Sequence, residues 1–446
     1  MRKYFGDRQF YLSFLAIALP TMAQQFITSF VSLIDNIMIG GLGEVALTAV
    51  TTANKFYVLN FALTFGLAGG ASIFISQYFG AGKHKEVQET FDIAFVAAVV
   101  VGGLFSSALI LFPRELLSIF TSNPTIIASA LEYLTFAKFT FLPFGLSMAI
   151  SMSLRSVKIV KLSLKIGTFA VLTNTLFNYL FIFGNFGFPR MGAAGAGLAT
   201  LIARMAEFGL YLYYLNNHDN YLKVRIGELF HLNVEIIKRM VFKVIPLTLN
   251  EIIYSTGTTI IFMAYLRTDE ILVAGISVID TVGSLLFVLF AGISSAVMVL
   301  IGNELGANEL EQAQENSLKL ITFSIIIAGA IGLIIFLVAP YIPLLYNLTP
   351  ETNHLIEVCL KFKSVWVIAN GISVCVFFIL RSGGDTRNTF LLDSGFMMIA
   401  ITVATSLSFT AIELITLFMV VESIEFIKAL GGLYFYKRGN WIRNLT

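Results

Sequence analysis

Residues 11–39 read YLSFLAIALPTMAQQFITSFVSLIDNIMI, and Asp35 is the only charged side chain among them. A bilayer span needs roughly 20 mostly apolar residues, so this segment is long enough to cross hydrocarbon as one helix. Similar apolar runs, bounded by Gly, Pro or charge, fall near 54–79, 91–112, 127–154, 164–186, 193–216, 240–266, 271–301, 318–340, 355–381, 388–410 and 412–436, which predicts twelve spans in all. The composition of the 446 residues agrees: 57% are apolar, 13% are charged, and the mean hydropathy is +0.84. An ordinary soluble domain carries roughly a quarter charged residues. A soluble enzyme, a disordered chain, a nucleic-acid binder and a disulfide scaffold are therefore disfavoured, and an all-α integral membrane protein is expected. Cys359 and Cys375 lie sixteen residues apart in one apolar run. That is about 24 Å along a helix, beyond disulfide reach, so both are read as packing residues. The four histidines (His84, His218, His231, His354) fall in polar stretches, and no His-based metal site is expected inside the membrane.

Within the first span, ALPTMAQQ (18–25) is echoed by VIPLTLNE (244–251), which puts Pro20 and Pro246 226 positions apart. The same offset joins Glu44 to Glu270, Gly66 to Gly292, Gly80-Ala81 to Gly306-Ala307, Gln88-Glu89 to Gln314-Glu315 and Leu154-Arg155-Ser156 to Leu380-Arg381-Ser382. Shared apolar composition does not account for matched polar and glycine pairs at one offset. The chain therefore reads as a duplicated six-helix unit: a lobe over 1–216, a polar linker over 217–239 and a second lobe over 240–446. Six is even, so both lobes enter the membrane the same way round, the parallel repeat that carriers use with sites buried near the repeat interface. Lys and Arg concentrate in alternate loops, as with Lys83 and Lys85, Arg155 to Lys165, and Arg381 with Arg387, while the opposite loops hold little beyond Arg114, Arg190 and Arg267. By the positive-inside rule both termini are cytoplasmic. The basic N-terminus precedes an apolar run too long for a signal peptide, so the first helix is read as uncleaved.

An ionisable group in a span costs roughly 2.5–3.5 kcal/mol on insertion scales and is a functional candidate by default. Asp35 lies near the outer end of the first span. Asn174 and Asn178 are four apart on one face of the fifth, and Thr200 in the sixth falls at similar depth. A carboxylate with amide and hydroxyl oxygens suits either H⁺ or Na⁺. The second lobe offers Glu251, Asp280 and Asp393, anions that would suit cationic substrates in a cavity; Asp393 could equally pair with Arg387 or Arg381 at the membrane edge. Arg204 and Glu207, three apart, read as a self-neutralised pair, and Lys55 and Lys138 as snorkelling or paired. GAAGAG (192–197) opens a lipid-length helix rather than following a strand, so it reads as close helix packing and not as a nucleotide loop. No phosphate loop, HExxH or nucleophile elbow is present. RSGGDTR (381–387) reads as a turn latched by its own acid and bases.

SLIDNIMIGGLGEVALTAV (32–50), ISQYFGAGK (75–83), NTLFNYLFIFG (174–184), MGAAGAGLATLIAR (191–204) and RSGGDTR together resemble the multidrug and toxic compound extrusion (MATE) family of secondary transporters, over essentially the whole chain. The resemblance implies two six-helix bundles that export cationic, amphipathic compounds in exchange for H⁺ or Na⁺. It further implies that Asp35 is the family's first-helix aspartate, with Asn174, Asn178 and Thr200 as its cation-site partners and Glu251 as the seventh-helix acid of Na⁺-coupled members. Two positions depart from the pattern: Asn178 stands where some relatives carry Asp, and the tenth span has Ser364, Asn370 and Ser373 where some Na⁺-coupled members have an aspartate. The expectation is an antiporter rather than an enzyme, monomeric in the cell membrane, with no cofactor beyond the coupling ion and no nucleic-acid partner. A flippase or exporter of lipid-linked precursors, or of another small metabolite, is the alternative, and it would want a cationic cavity.

Overall fold

In the computed structural model, residues 4–218, 220–225, 227, 232–269, 272–345 and 348–446 are described; Arg2, Lys3, His231 and Glu270 lie outside them. Among the described residues the fold is all helix, with no strand. The first half holds α1 (Arg8–Gly40), α2 (Glu44–Gly80), α3 (His84–Leu111), the short α4 (Pro113–Ser118), α5 (Pro124–Ala137), α6 (Phe141–Ser156), α7 (Val160–Phe183) and α8 (Gly192–Asn217). The second holds α9 (Val234–Thr268), α10 (Val273–Gly306), α11 (Leu310–Val338), α12 (Pro350–Ser382), α13 (Thr386–Phe390), α14 (Phe396–Leu407) and α15 (Leu414–Lys437).

Two of the expected spans are broken. The run over 127–154 is α5 followed by α6, bent by 54°. Pro143 explains the break, because it has no N–H for the carbonyl of Phe139 and its ring clashes with that turn. Lys138 sits at the bend with its ammonium 5.4 Å from the Phe139 ring. The run over 388–410 is α13 and α14 joined by a π-helical turn at 391–395 that contains Asp393. Among the described residues, eight helices, or nine with α5–α6 taken as one span, are long and apolar enough to cross a membrane. The further long helices α8, α9 and α15 carry charged residues within their length, among them Arg204 and Glu207 in α8, Glu251 in α9 and Glu422, Glu425 and Lys428 in α15. The chain is a multi-pass, all-α membrane protein.

Its contacts divide it into two compact units. One, the N-terminal unit, is Pro20–Phe79 with Lys83–Thr248; the other, the C-terminal unit, is Met1–Leu19, Gly80–Gly82 and Leu249–Thr446. The change of unit along α1 falls at Pro20, and along α9 it falls two residues after Pro246. In the N-terminal unit α8 packs along α7 and α5, and α3 packs on α6. GAAGAG makes the first of these contacts possible. A Cβ on Gly195 would stand 2.6 Å from the Phe181 carbonyl, and one on Gly197 would overlap the Tyr133 carbonyl of α5. In the C-terminal unit α12 packs on α10, α11 and α15, and the Ser324 hydroxyl donates across α11–α12 to the Gly371 carbonyl at 2.9 Å.

Since α5 and α8 touch backbone to backbone at Gly197, Gly197→Leu should cost about 1–3 kcal/mol through overpacking. The expected result is a lower melting temperature and loss of the monodisperse peak in detergent, with Gly209→Leu, where a side chain meets open space, behaving like the parent.

Candidate ion and substrate sites

In the N-terminal unit, α1, α7 and α8 bring the four expected residues together. Asn178 Nδ2 donates to Asp35 Oδ1 at 2.9 Å. With the Asn174 amide set so that its nitrogen faces the carboxylate, that nitrogen donates to Asp35 Oδ2 at 2.7 Å and its oxygen accepts from the Thr200 N–H at 3.3 Å. The spacing of four between Asn174 and Asn178 is what lets one face of α7 grip both carboxylate oxygens. Thr200 Oγ1 donates to the Ala196 carbonyl at 2.9 Å, so its hydroxyl is tied to its own helix. Asn178 is 2% exposed, and its Oδ1 has no hydrogen-bond partner. Carboxylate, amide and hydroxyl oxygens with one buried acceptor unpaired fit a proton or a hard monovalent cation.

One turn further along α8, Arg204 and Glu207 pair at 2.8 Å. Arg204 also donates to the Tyr57 hydroxyl at 2.9 Å and stacks 4.9 Å from the Phe144 ring centre. Nearby, the Tyr133 hydroxyl donates to Asn54 Oδ1 at 3.1 Å. Tyr57, Tyr133 and Asn54 lay outside the sequence reading because tyrosine and asparagine give no charge signal in a span.

The C-terminal unit carries a denser ionic set than the sequence reading held. Arg381 Nη1 reaches Glu251 Oε1 at 3.0 Å. That corrects the expected latch in RSGGDTR: Arg381 leaves the turn, and Asp385 instead accepts from the Asn388 amide at 2.7 Å. Asp393 pairs with Lys428 at 2.6 Å and accepts from Asn250 Nδ2 at 2.8 Å, so neither Arg387 nor Arg381 is its counter-ion. The π-helical turn offsets the residues of the eleventh span enough to aim Asp393 at α9 and α15; such turns are frequent at functional sites. Ser394 Oγ donates to Asn250 Oδ1 at 2.6 Å. Lys428 also stands 3.9 Å from Glu425, which accepts from Asn370 at 3.2 Å. Lys363 pairs with Glu422 at 2.7 Å and sits 3.6 Å from the Trp366 ring centre. Asp280 is exposed on α10, within electrostatic reach of Lys363 and Glu422. Those charges have a sequence signal: Glu422, Glu425 and Lys428 recur every three residues in the middle of the mostly apolar last span.

The two units build one junction with different chemistry. Gln24 and Asn250 each follow their helix proline by four residues and are repeat counterparts, as are Arg155 with Arg381 and Gly167 with Asp393. In the N-terminal unit Arg155 Nη2 donates to Gln24 Oε1 at 3.5 Å, and a Cβ on Gly167 would lie 2.8 Å from Gln24 Nε2. In the C-terminal unit the matching position carries a carboxylate with its own lysine.

A family model, MatE, matches twice, over residues 20–180 and 246–405. The matches start at the two repeat prolines, which independently marks the duplication. Multidrug resistance protein MdtK of Yersinia pseudotuberculosis is 22% identical over 393 residues, covering 88% of this chain and 85% of the relative. MdtK of Klebsiella pneumoniae is 24% identical over 398 residues, with the same coverage. Among solved structures, a MOP superfamily transporter from Pyrococcus furiosus has a TM-score of 0.87 at 17% identity, covering 98% of this chain and 97% of that one. A MATE transporter of Vibrio cholerae has a TM-score of 0.88 at 15% identity, each chain covered to 97%. The fold is thus that of a two-lobed membrane transporter. The chain belongs to the MatE family of multidrug efflux transporters.

Lys428 neutralises a largely shielded carboxylate, 13% exposed, and breaking a buried pair costs about 3–5 kcal/mol. Lys428→Met is expected to lower thermal stability sharply, and Lys428→Met with Asp393→Asn should regain most of the loss. A double-mutant melting series that shows simple additivity would remove Asp393–Lys428 as a coupled pair.

Proposed function

We propose that the protein is an ion-coupled antiporter that exports organic cations across the cell membrane by alternating access, with Asp35 as the coupling group. The observation that carries this reading is the grip of two α7 amides on both oxygens of a single intramembrane carboxylate. Protonation turns one Asp35 oxygen into a donor, and Na⁺ asks for oxygen ligands. Either ion obliges Asn174 or Asn178 to turn its amide and present the oxygen in place of the N–H. Occupancy of Asp35 is thereby read by α7 and, through Thr200, by α8. An amide at position 178 serves this exchange without adding a second charge.

Glu251, Asp280 and Asp393 are the substrate-facing acids of this reading. The paired charges of the C-terminal unit's ionic set are four acids (Glu251, Asp393, Glu422, Glu425) against three bases (Lys363, Arg381, Lys428) among the described residues, with Asp280 exposed nearby on α10, an excess of negative charge that favours cationic cargo. The same balance speaks against a lipid-linked anionic precursor. Both termini lie on the cytoplasmic side by the distribution of Lys and Arg in the loops. Lipid surrounds a monomer, and the chain uses no cofactor beyond H⁺ or Na⁺.

Efflux of a fluorescent organic cation from proteoliposomes, under a pH gradient and a Na⁺ gradient imposed separately, tests the reading. One gradient should drive transport. Asp35→Asn should abolish it while the melting temperature stays within a few degrees of the parent, since Asn keeps the hydrogen-bonding shape. Retained coupled efflux in that variant would sink the role of Asp35, and no transport under either gradient would move weight to lipid flipping.

A further inference from the structure

The core of the N-terminal unit is polar where a helix bundle is ordinarily dry. Asn60 and Thr64 of α2, Ser147 of α6, Ser163 of α7 and Tyr211 of α8 are between 0% and 2% exposed. Each has side-chain polar atoms with no hydrogen-bond partner, and in Asn60 both the amide nitrogen and the oxygen are unpaired. A buried donor or acceptor left unsatisfied costs about 1–3 kcal/mol. Among the described residues nothing meets Asn60, Thr64 and Ser147, and the Tyr211 hydroxyl and Ser163 face each other without closing a full hydrogen bond, so the unit has room for partners that the side chains do not supply. Buried polar groups of this kind hold ordered water.

These residues form a line rather than a scatter. On α8, Thr200, Arg204, Glu207 and Tyr211 follow one another at spacings of four, three and four, one face over about 16 Å. On α6, Ser147, Ser151 and Arg155 repeat every four. Thr64 lies against α6, since a Cβ on Gly145 would stand 3.7 Å from its hydroxyl. The Tyr211 hydroxyl faces Ser151, Ser163, Glu207 and Arg155, and Arg155 donates to Ser151 at 3.1 Å. The line runs from Thr200, beside Asp35, to Arg155 in the loop-proximal turn of α6. Arg204, a fixed cation that would repel a passing proton, is cancelled by Glu207 at 2.8 Å.

We propose that this line is a chain of bound water and hydroxyl groups that carries protons between the Asp35 site and the Arg155 end of the N-terminal unit. It rests on the reading of Asp35 as the coupling group, with H⁺ as the ion. Each hydroxyl or water accepts one proton as it passes another on, so no group is consumed and only a proton moves. The chain gives a carboxylate near one membrane face access to the opposite side through the body of the unit.

Radiolytic hydroxyl labelling of the intact protein tests the water directly, because the radical forms from water bound beside a side chain. Tyr211 should be labelled at least about tenfold faster than Phe91, which is equally buried in the same unit, as expected of a residue on internal water. Equal protection of the two would overturn the proposal. Conduction is tested with Tyr211→Phe combined with Ser163→Ala, which should slow cation-driven proton uptake into proteoliposomes at least about tenfold, the scale of a lost relay group, while affinity for the organic cation is unchanged. Proton uptake at the parental rate in that variant would equally overturn it, even with Tyr211 labelled. Asp35→Asn separates the two readings: it should abolish uptake and leave Tyr211 labelling as in the parent. Retained uptake in Asp35→Asn would defeat the role of Asp35 and not the water chain.

Discussion

Inside hydrocarbon a polar side chain has no water to fall back on, so each one carried into the membrane has to find its partner within the protein. Most of this chain's interior follows from that requirement. Asp35 is tolerated near the end of α1 because two α7 amides meet its oxygens, and those amides are placed by a spacing of four on α7 and by the closeness of α7 to α8. That closeness depends on Gly195, while Gly197 seats the same helix against α5. Removing the small residues would pull Thr200 away from Asn174, and the carboxylate would lose its setting. Packing and ion chemistry are one problem here.

The duplicated units meet the same requirement in different ways. Each has a helix with an internal proline, a polar residue one turn later, and an arginine at the end of the fourth span. In the N-terminal unit these are Pro20, Gln24 and Arg155, and Gly167 leaves room for the glutamine amide. In the C-terminal unit Asp393 takes the glycine's place, and a charge at that position obliges a counter-charge, which α15 provides as Lys428. One backbone plan thus supports a nearly uncharged junction in one unit and an ionic network in the other.

Much of this was legible in the residues alone. The apolar runs, the offset of 226 and the motifs around Asp35, GAAGAG and RSGGDTR point to a two-lobed helical transporter, and helical spacing puts Asp35, Asn174, Asn178 and Thr200 forward as candidates. They were legible because helical spacing is local: residues four apart share a face whatever else the chain does. The counter-ions were not. Asp393 had two nearby arginines in sequence, yet a π-helical turn aims it at Lys428, thirty-five residues on, while Arg381 turns to Glu251, 130 residues back. A proline alone does not decide the bend at Pro143, since Pro20 and Pro246 lie inside unbroken helices, and the helical spacing of Asn60, Thr64 and Tyr211 does not say which polar groups are left without a partner.

What the sequence by itself determined is the class of structure, namely membrane helices, duplication and the candidate carboxylates, because burial in lipid and helical periodicity act over a few turns of chain. What only the tertiary structure decided is which charge answers which, and which polar groups are left without an answer. Those outcomes depend on helix crossings between residues far apart in sequence, and a change of one position in register at a packed helix face reassigns every partner along it.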